Sequence, residues 1–417
     1  MALLEESTCK IESLNSSGLG VGRTEQGMVD LPYTIPGEVA SFERHGYRKK
    51  SNCLLKGIEQ KSEHRIAPAC RYFGRCGGCL LQHLDKETYD NFKLSLVTNA
   101  LESETKINSI ITIPSGNRRR INLQALKKDD KIFLGFHRLR SHQIIDIEEC
   151  PAMMPGLSSL LKPLRELMEI LLEHRQKAEI FLLQASNGID MLLELHGLIP
   201  ASASQEEAMI EFAKNNGLIR LQFRCSKKPK VLFESEKPYI ILGDKMVATD
   251  ARSFMQASFD SDRILSDLVD GYLPQEKAAL VDLFCGRGTF ALPLSKRFSV
   301  DGFESDSSAL AALGQASEGS ITLHQRDLFE KPLTTEELRP YRFVVINPPR
   351  AGALEQVKIL SASLCQRIVY VSCNPETFAR DAKILEGGGY RLLEVTPVDQ
   401  FYWSVHLEVV GVFSRTE

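Results

Sequence analysis

Apolar and polar positions change their period along the chain. Between residues 9 and 57 they alternate in short runs broken by glycine and proline. Examples are Lys10-Ile11-Glu12-Ser13-Leu14, Gly18-Leu19-Gly20-Val21-Gly22-Arg23, Gly27-Met28-Val29-Asp30-Leu31-Pro32 and Pro36-Gly37-Glu38-Val39-Ala40-Ser41-Phe42. A period of two with frequent turn residues predicts a small all-β barrel. The glycine run is followed by neither a helical pattern nor Gly-Lys-Ser/Thr, so turns account for it better than a phosphate loop does.

From about 62 to 250 the pattern is mixed. A cysteine-rich loop (70–79) precedes a predicted helix at 85–102 and strands near 109–113, 121–126 and 131–136. A helix near 157–175, strands 178–186 and 189–196, a helix at 204–215 and strands near 218–223, 230–234 and 239–242 follow. From about 262 helices and strands alternate: helix 262–270, strand 279–284, helix 289–297, strand 299–304, helix 307–314 and strand 321–324. Strand 343–346, helix 353–361, strand 367–372 and helix 376–386 complete the run. That rhythm implies right-handed crossovers and a doubly wound parallel sheet, with strands 390–396 and 405–413 as a hairpin at one edge. The expected fold class is α/β: a Rossmann-like domain at 251–417, a β-barrel at 1–60 and a central α+β domain at 61–250.

At 417 residues, the chain has room for two or three domains of the usual size. Met1-Ala2-Leu3-Leu4-Glu5-Glu6 lacks the basic start and apolar core of a signal peptide, and no apolar run approaches the ~20 residues of a membrane helix. A cytoplasmic protein without a membrane partner is expected. There the ten cysteines serve as ligands, nucleophiles or core rather than disulfides. The net charge of −3 hides basic clusters in the first half. These are Arg44, Arg48, Lys49, Lys50, Lys56, Lys61, Arg65, Arg71 and Arg75; Arg118-Arg119-Arg120 with Arg138 and Arg140; and Arg224, Lys227, Lys228 and Lys230. Solvated loops are the plain reading, but their repetition in a mildly acidic chain favours a polyanionic partner.

Asp282-Leu283-Phe284-Cys285-Gly286-Arg287-Gly288-Thr289-Phe290 joins the first strand of the C-terminal sheet to a helix. Glycines there let the backbone turn tightly and a ligand approach the carboxyl ends of the strands. The full Gly-x-Gly-x-x-Gly of a dinucleotide site is absent. Glu304 closes the next strand and is placed to accept both hydroxyls of a ribose. Asp327 closes the third and would reach an adenine amine. Acids at successive strand ends fit S-adenosylmethionine better than a phosphate-bearing nucleotide. Two prolines in Asn347-Pro348-Pro349-Arg350-Ala351-Gly352 hold a rigid loop, with Asn347 beside the cofactor's reactive end.

Cys373, in Tyr370-Val371-Ser372-Cys373-Asn374-Pro375, sits where an apolar strand breaks into a turn, a place for a thiolate nucleophile. Glu408, in His406-Leu407-Glu408, offers a carboxylate as the matching base. Cys70, Cys76 and Cys79 share one loop, and with a distant fourth cysteine could hold zinc or a [4Fe–4S] cluster. A single Cys-x2-Cys pair favours the cluster over zinc, whose structural sites use two such pairs.

Taken in order, these motifs resemble the S-adenosylmethionine-dependent RNA (uracil-5-)methyltransferases, especially their iron–sulfur-containing 23S ribosomal RNA branch. The resemblance spans nearly the whole chain, including Phe254-Met255-Gln256, the Pro-Pro-Arg-Ala-Gly loop and the two catalytic motifs. It implies a TRAM-like RNA-binding barrel and iron–sulfur ligands Cys70, Cys76, Cys79 and Cys150, the last in Asp146-Ile147-Glu148-Glu149-Cys150-Pro151. It implies a cofactor pocket containing Gln256, Phe284, Gly286, Thr289, Glu304, Asp327 and Asn347, and a monomeric enzyme. Cys373 would add to carbon 6 of uracil, carbon 5 would take the methyl group, and Glu408 would remove the carbon-5 proton. The target base must come from a single-stranded or flipped-out uridine.

Two departures stand out. Asn347 occupies a position where the family usually has Asp; its amide can still accept from the uracil N–H and donate to the 4-carbonyl. Val398-Asp399-Gln400-Phe401-Tyr402-Trp403-Ser404 replaces the commoner Pro-x-Thr-type approach to the His-x-Glu motif. Transfer RNA as the substrate, cytosine-5 methylation, and an RNA-binding iron–sulfur protein with reduced catalysis are the competing readings.

Overall fold

Alternation in the first sixty residues becomes antiparallel sheet. The computed structural model describes residues 6–45, 52–101, 105–197 and 200–415; Arg48, Lys49 and Lys50 of the first basic cluster lie outside them. Strands Glu6–Leu14, Gly20–Thr24, Gly27–Leu31, Val39–His45 and Asn52–Gln60 pair in the order third, second, first, fourth, fifth. Cys9, Ile11, Val29, Leu31, Ala40 and Phe42, all apolar positions of the alternation, fill their core. Among the described residues the hydrogen-bonded ladder is a five-stranded sheet with Gly27–Leu31 and Asn52–Gln60 as its end strands.

The chain divides into two compact units. One comprises Met1–Leu96, Phe136–Ile145 and Trp403–Val405; the other comprises Val97–Gly135, Asp146–Tyr402 and His406–Glu417. Most of the central segment and nearly all of the C-terminal segment, read as separate domains in the sequence, thus fall within one unit.

In that second unit, Arg120–Lys128, Lys177–Ala185, Gly188–Leu195, Leu218–Arg224 and Lys230–Glu234 are successive neighbours in a mainly antiparallel sheet. The single helix expected near 157–175 is two, Pro155–Ser158 and Leu161–Leu171. Pro163 has no N–H to continue a ladder from the first, so it fits only the opening turn of the second.

The C-terminal sheet comprises β1 (Ala279–Leu283), β2 (Ser299–Glu304), β3 (Ile321–Gln325), β4 (Phe343–Ile346), β5 (Arg367–Ser372), β6 (Tyr390–Asp399) and β7 (Glu408–Arg415). The helices are α1 (Phe259–Tyr272), α2 (Ala291–Leu294), α3 (Ser307–Ser317), α4 (Thr335–Leu338), α5 (Leu354–Ser361) and α6 (Pro375–Gly387). Strand order is β3-β2-β1-β4-β5-β7-β6, parallel through β5. Phe343 and Val345 enter one core layer and Val344 and Ile346 the other, as a sheet covered on both faces requires.

Two expectations change here. The helix expected at 289–297 contracts to α2, because Pro293 has no N–H to offer the Thr289 carbonyl. The terminal hairpin is not a bare edge. β7 runs antiparallel between β5 and β6, and short strands Lys106–Ile107 and Ile111–Thr112 pair in parallel beside β6.

Candidate active site

The turn after β1 is built for close approach. Phe284, Gly286 and Gly288 all have positive φ (64°, 54° and 92°). A Cβ on Gly286 would meet nothing within 4 Å, whereas one on Gly288 would lie 2.5 Å from Leu313 Cδ1. Gly288 therefore serves packing against α3, and Gly286 leaves open space where a ligand would lie. Glu304, ending β2, accepts from Gly286 N at 3.0 Å through Oε2, and from Ser305 N at 2.7 Å and Asp306 N at 2.9 Å through Oε1. The acid read as a ribose ligand also clamps the glycine turn.

Asp282 is fully buried. Burial pushes its carboxyl up to about 8, against a weak pull from the Ala291 N–H that falls short of a hydrogen bond. Asp327 does not close β3, which ends at Gln325. It lies two residues on, exposed, where Oδ1 accepts from Phe329 N at 2.8 Å and forms a turn. That turn carries Phe329, half exposed, its ring 5.4 Å from the ring of Phe284. The sequence reading passed over Phe329. An aromatic two residues after a strand-end acid was the available signal. Thr289 is half-buried in the glycine turn.

Asn347 follows β4 directly, its N–H donating to Leu283 O at 3.2 Å. The proline loop beyond it is fastened to the start of α6. Asn374 Nδ2 and Thr377 Oγ1 both donate to Arg350 O at 3.3 Å, and Asp381 accepts from Ala353 N at 3.1 Å and from Tyr370 Oη at 2.6 Å. Asn374 caps α6 with its side chain and Pro375 occupies the first helical turn, which explains the Cys-Asn-Pro order: strand, then cap, then helix.

Cys373 follows Ser372, which pairs with Val409 of β7, so one step further Cys373 comes level with Glu408. Burial pushes the Cys373 thiol up; the Glu408 carboxylate adds to this, while a backbone N–H and then Arg350 oppose it. Glu408 is itself buried, and its carboxyl is pushed up to about 7 by that burial. Gln400 Nε2 donates to Glu408 Oε1 at 2.8 Å and to Gln256 Oε1 at 2.8 Å, and Gln400 Oε1 accepts from Ala257 N at 3.0 Å.

Arg119 donates from Nε to Gln256 O at 3.1 Å and from Nη2 to Asp262 Oδ2 at 2.6 Å, beneath the Phe259 ring. It is completely buried, so this member of the Arg118–Arg120 cluster is a strut of the site and no part of a polyanion surface. Arg65 is likewise committed, to the buried Glu38 and to Tyr33 O.

The cysteine motif is distributed. Cys70, Cys76 and Cys79 belong to the first unit, and Cys150 to the second. In the loop, Cys70 N donates to Gln82 Oε1 at 2.9 Å and Cys76 N to Tyr72 O at 2.9 Å. The Tyr33 hydroxyl is buried without a hydrogen-bond partner and is pushed up to about 12, first by burial and then by the charges of Cys76 and Cys79. An orphaned donor beside two thiols suits a sulfur-rich group at this loop. Among the described residues, no three His, Cys, Asp or Glu side chains converge as a metal-ion site would require.

The C-terminal residues 315–416 match the family model of tRNA (uracil-5-)-methyltransferases. An uncharacterized RNA methyltransferase of Brucella melitensis is 36% identical over 413 residues, covering 97% of each chain. The 23S rRNA (uracil(1939)-C(5))-methyltransferase RlmD of Pectobacterium atrosepticum is 31% identical across 97% of this chain and 93% of its own. The chain belongs to the RNA (uracil-5-)methyltransferase family. Its methyl donor is S-adenosylmethionine. This methyltransferase is also similar, at 25% identity and a TM-score of 0.73 over 98% of its length and 100% of the other chain, to the Pyrococcus abyssi tRNA (uracil-54, C5)-methyltransferase solved with S-adenosyl-L-homocysteine. No helix among the described residues of the methyltransferase is long and apolar enough to cross a membrane.

Proposed function

We propose that this methyltransferase forms 5-methyluridine in 23S ribosomal RNA, with Cys373 as nucleophile and Glu408 as base. The observation that carries the reading is the buried carboxylate of Glu408 level with Cys373, one register step beyond the Ser372–Val409 pair. The Cys373 thiolate forms a bond to uracil carbon 6, and the displaced pair makes carbon 5 electron-rich. Carbon 5 takes the methyl group of S-adenosylmethionine as its sulfur–methyl bond breaks. Glu408 then takes the carbon-5 proton, the ring double bond re-forms and the Cys373–carbon 6 bond breaks.

Phe284, Gly286, Thr289, Asp327 and Gln256 would hold the donor, and Glu304 would accept from its ribose hydroxyls. Phe329, which faces Phe284, extends the apolar wall. Asn347 supplies one acceptor and one donor to the uracil edge. The chain acts as a cytoplasmic monomer, and its N-terminal sheet serves as a TRAM-like RNA-binding module.

Cys70, Cys76, Cys79 and Cys150 are the residues that would hold a [4Fe–4S] cluster, and its role there would be structural. Its support is the cysteine spacing and the orphaned Tyr33 hydroxyl beside the loop. No step of the reaction runs through it.

Similarity to RlmD favours ribosomal RNA, and similarity to the archaeal enzyme keeps transfer RNA as the second reading. Mapping modified nucleosides by mass spectrometry in RNA from a deletion strain and its parent decides. Loss of one 5-methyluridine from 23S RNA is expected. Loss from transfer RNA, or loss of 5-methylcytidine, would replace the reading.

A further inference from the structure

The segment Val398–Ser404 departs from the family's usual approach to the His-x-Glu motif, and the structure gives one of its residues a defined set of partners. Gln400 is buried immediately after β6, which ends at Asp399. Its Oε1 accepts from the backbone N–H of Ala257, which can only donate, so the orientation of the amide is fixed by chemistry. The NH2 group must then face the other way, where its two contacts are Gln256 Oε1 and Glu408 Oε1, each at 2.8 Å. Both amide hydrogens and the carbonyl are thereby used.

We infer that Gln400 is a positioning residue for the methyl-transfer site, one amide that sets the orientation of both Glu408 and Gln256; this rests on the reading of Glu408 as base. The chemistry has two consequences. Glu408 is held through Oε1, which leaves Oε2 as the oxygen to take the carbon-5 proton. Gln256 accepts through its own Oε1, so its NH2 becomes the donor end of that side chain, suited to an acceptor such as a uracil carbonyl. Arg119 holds this backbone independently, its Nε donating to Gln256 O at 3.1 Å and its N–H to Ala257 O at 3.0 Å, so Gln400 joins β6 and β7 to a segment already fixed.

A donor on a carboxylate favours its ionised form, so removing the donor makes Glu408 a weaker acid. Gln400→Met keeps length and approximate volume but removes the amide. Single-turnover release of methylated RNA from the protein, the step that needs the carbon-5 proton removed, should then show the rising limb of its pH–rate profile displaced upward by about one pH unit or more. Activity should fall most in mildly acidic buffer and recover toward alkaline pH, with RNA affinity changed little. A uniform loss at every pH, tracking a lowered Tm, would mean that Gln400 only fills space and would overturn the inference. So would a profile that coincides with wild type. If wild-type enzyme shows no Glu408-dependent limb, tested with Glu408→Gln, the underlying assignment of the base fails instead. Gln400→Glu provides a second arm: it puts an acid against Glu408, and a larger upward displacement than in Gln400→Met is expected.

Discussion

Cys373 and Glu408 face each other across β5 and β7, one register step beyond the Ser372–Val409 pair. The ends of β5 and β7 thus bring a thiol and a carboxylate to the same level of the sheet. The antiparallel insertion of β7 between β5 and β6 makes this possible: a parallel strand there would present its other end.

Glu408→Gln should separate addition from elimination. Attack by Cys373 and methyl transfer need no base at carbon 5, but release does. Turnover should fall by roughly 10²–10⁴-fold, while a methylated protein–RNA adduct accumulates. Denaturing gels with labelled RNA would show the adduct as a slow-migrating band. A variant as slow but free of adduct would place the loss before addition.

The pH dependence follows from the two shifted groups. Glu408, pushed up to about 7, acts as a base only when ionised, and Cys373, pushed above its ordinary value, attacks only as thiolate. Both requirements favour high pH. The rate should rise through neutrality and keep rising into the alkaline range, and Glu408→Gln should remove the step near 7. A bell-shaped profile with a neutral maximum would contradict this.

Asp282 should make stability fall as pH rises. Its carboxyl is pushed up to about 8 in the fold, far above an unfolded aspartate. Its stabilising contribution is complete below the unfolded value and is lost progressively up to the folded one. Asp282→Asn, which copies the neutral form, should raise Tm near neutral pH and match wild type at the acid end. Thermal melts across pH would show it, and equal Tm differences at every pH would refute it.

Arg119→Met should destabilise by ~3–5 kcal/mol, because it leaves Asp262 buried without its partner. Adding Asp262→Leu should restore part of the loss, since the pair is then removed together. A chemical denaturation series measures both.

The fold was legible where period and punctuation agreed. β1, β4 and β5 are largely apolar runs followed by Phe-Cys-Gly, Asn-Pro or Cys-Asn-Pro, and the alternation of strands with helices along the chain led to the doubly wound sheet. The site was legible where a motif marks a strand end, as at Gly286, Asn347 and Cys373. Three features were not. Arg119 reads as one of three surface arginines, because neighbouring residues cannot show that Asp262, more than a hundred positions away, neutralises it. Asp327 reads as a strand end because Arg326, the one residue between it and β3, carries no punctuation. Gln400 gave a signal, an unusual polar residue closing an apolar strand, but its partners come from a distant segment and from the next strand.

The cysteine motif has its own check. Anaerobically purified protein should contain about four irons per chain, with broad visible absorption, and Tyr33→Phe should perturb that spectrum without changing iron content. Stoichiometric zinc without iron would overturn the cluster.

The central claim is covalent catalysis by Cys373, and 5-fluorouridine-substituted RNA tests it most directly. Fluorine at carbon 5 removes the proton that Glu408 must take, so a stable complex that survives denaturation is expected. It should form only with S-adenosylmethionine present, be absent in Cys373→Ala, and yield a peptide carrying methylated fluorouridine on Cys373. Attachment at another residue, or full methylation by Cys373→Ala, would contradict it.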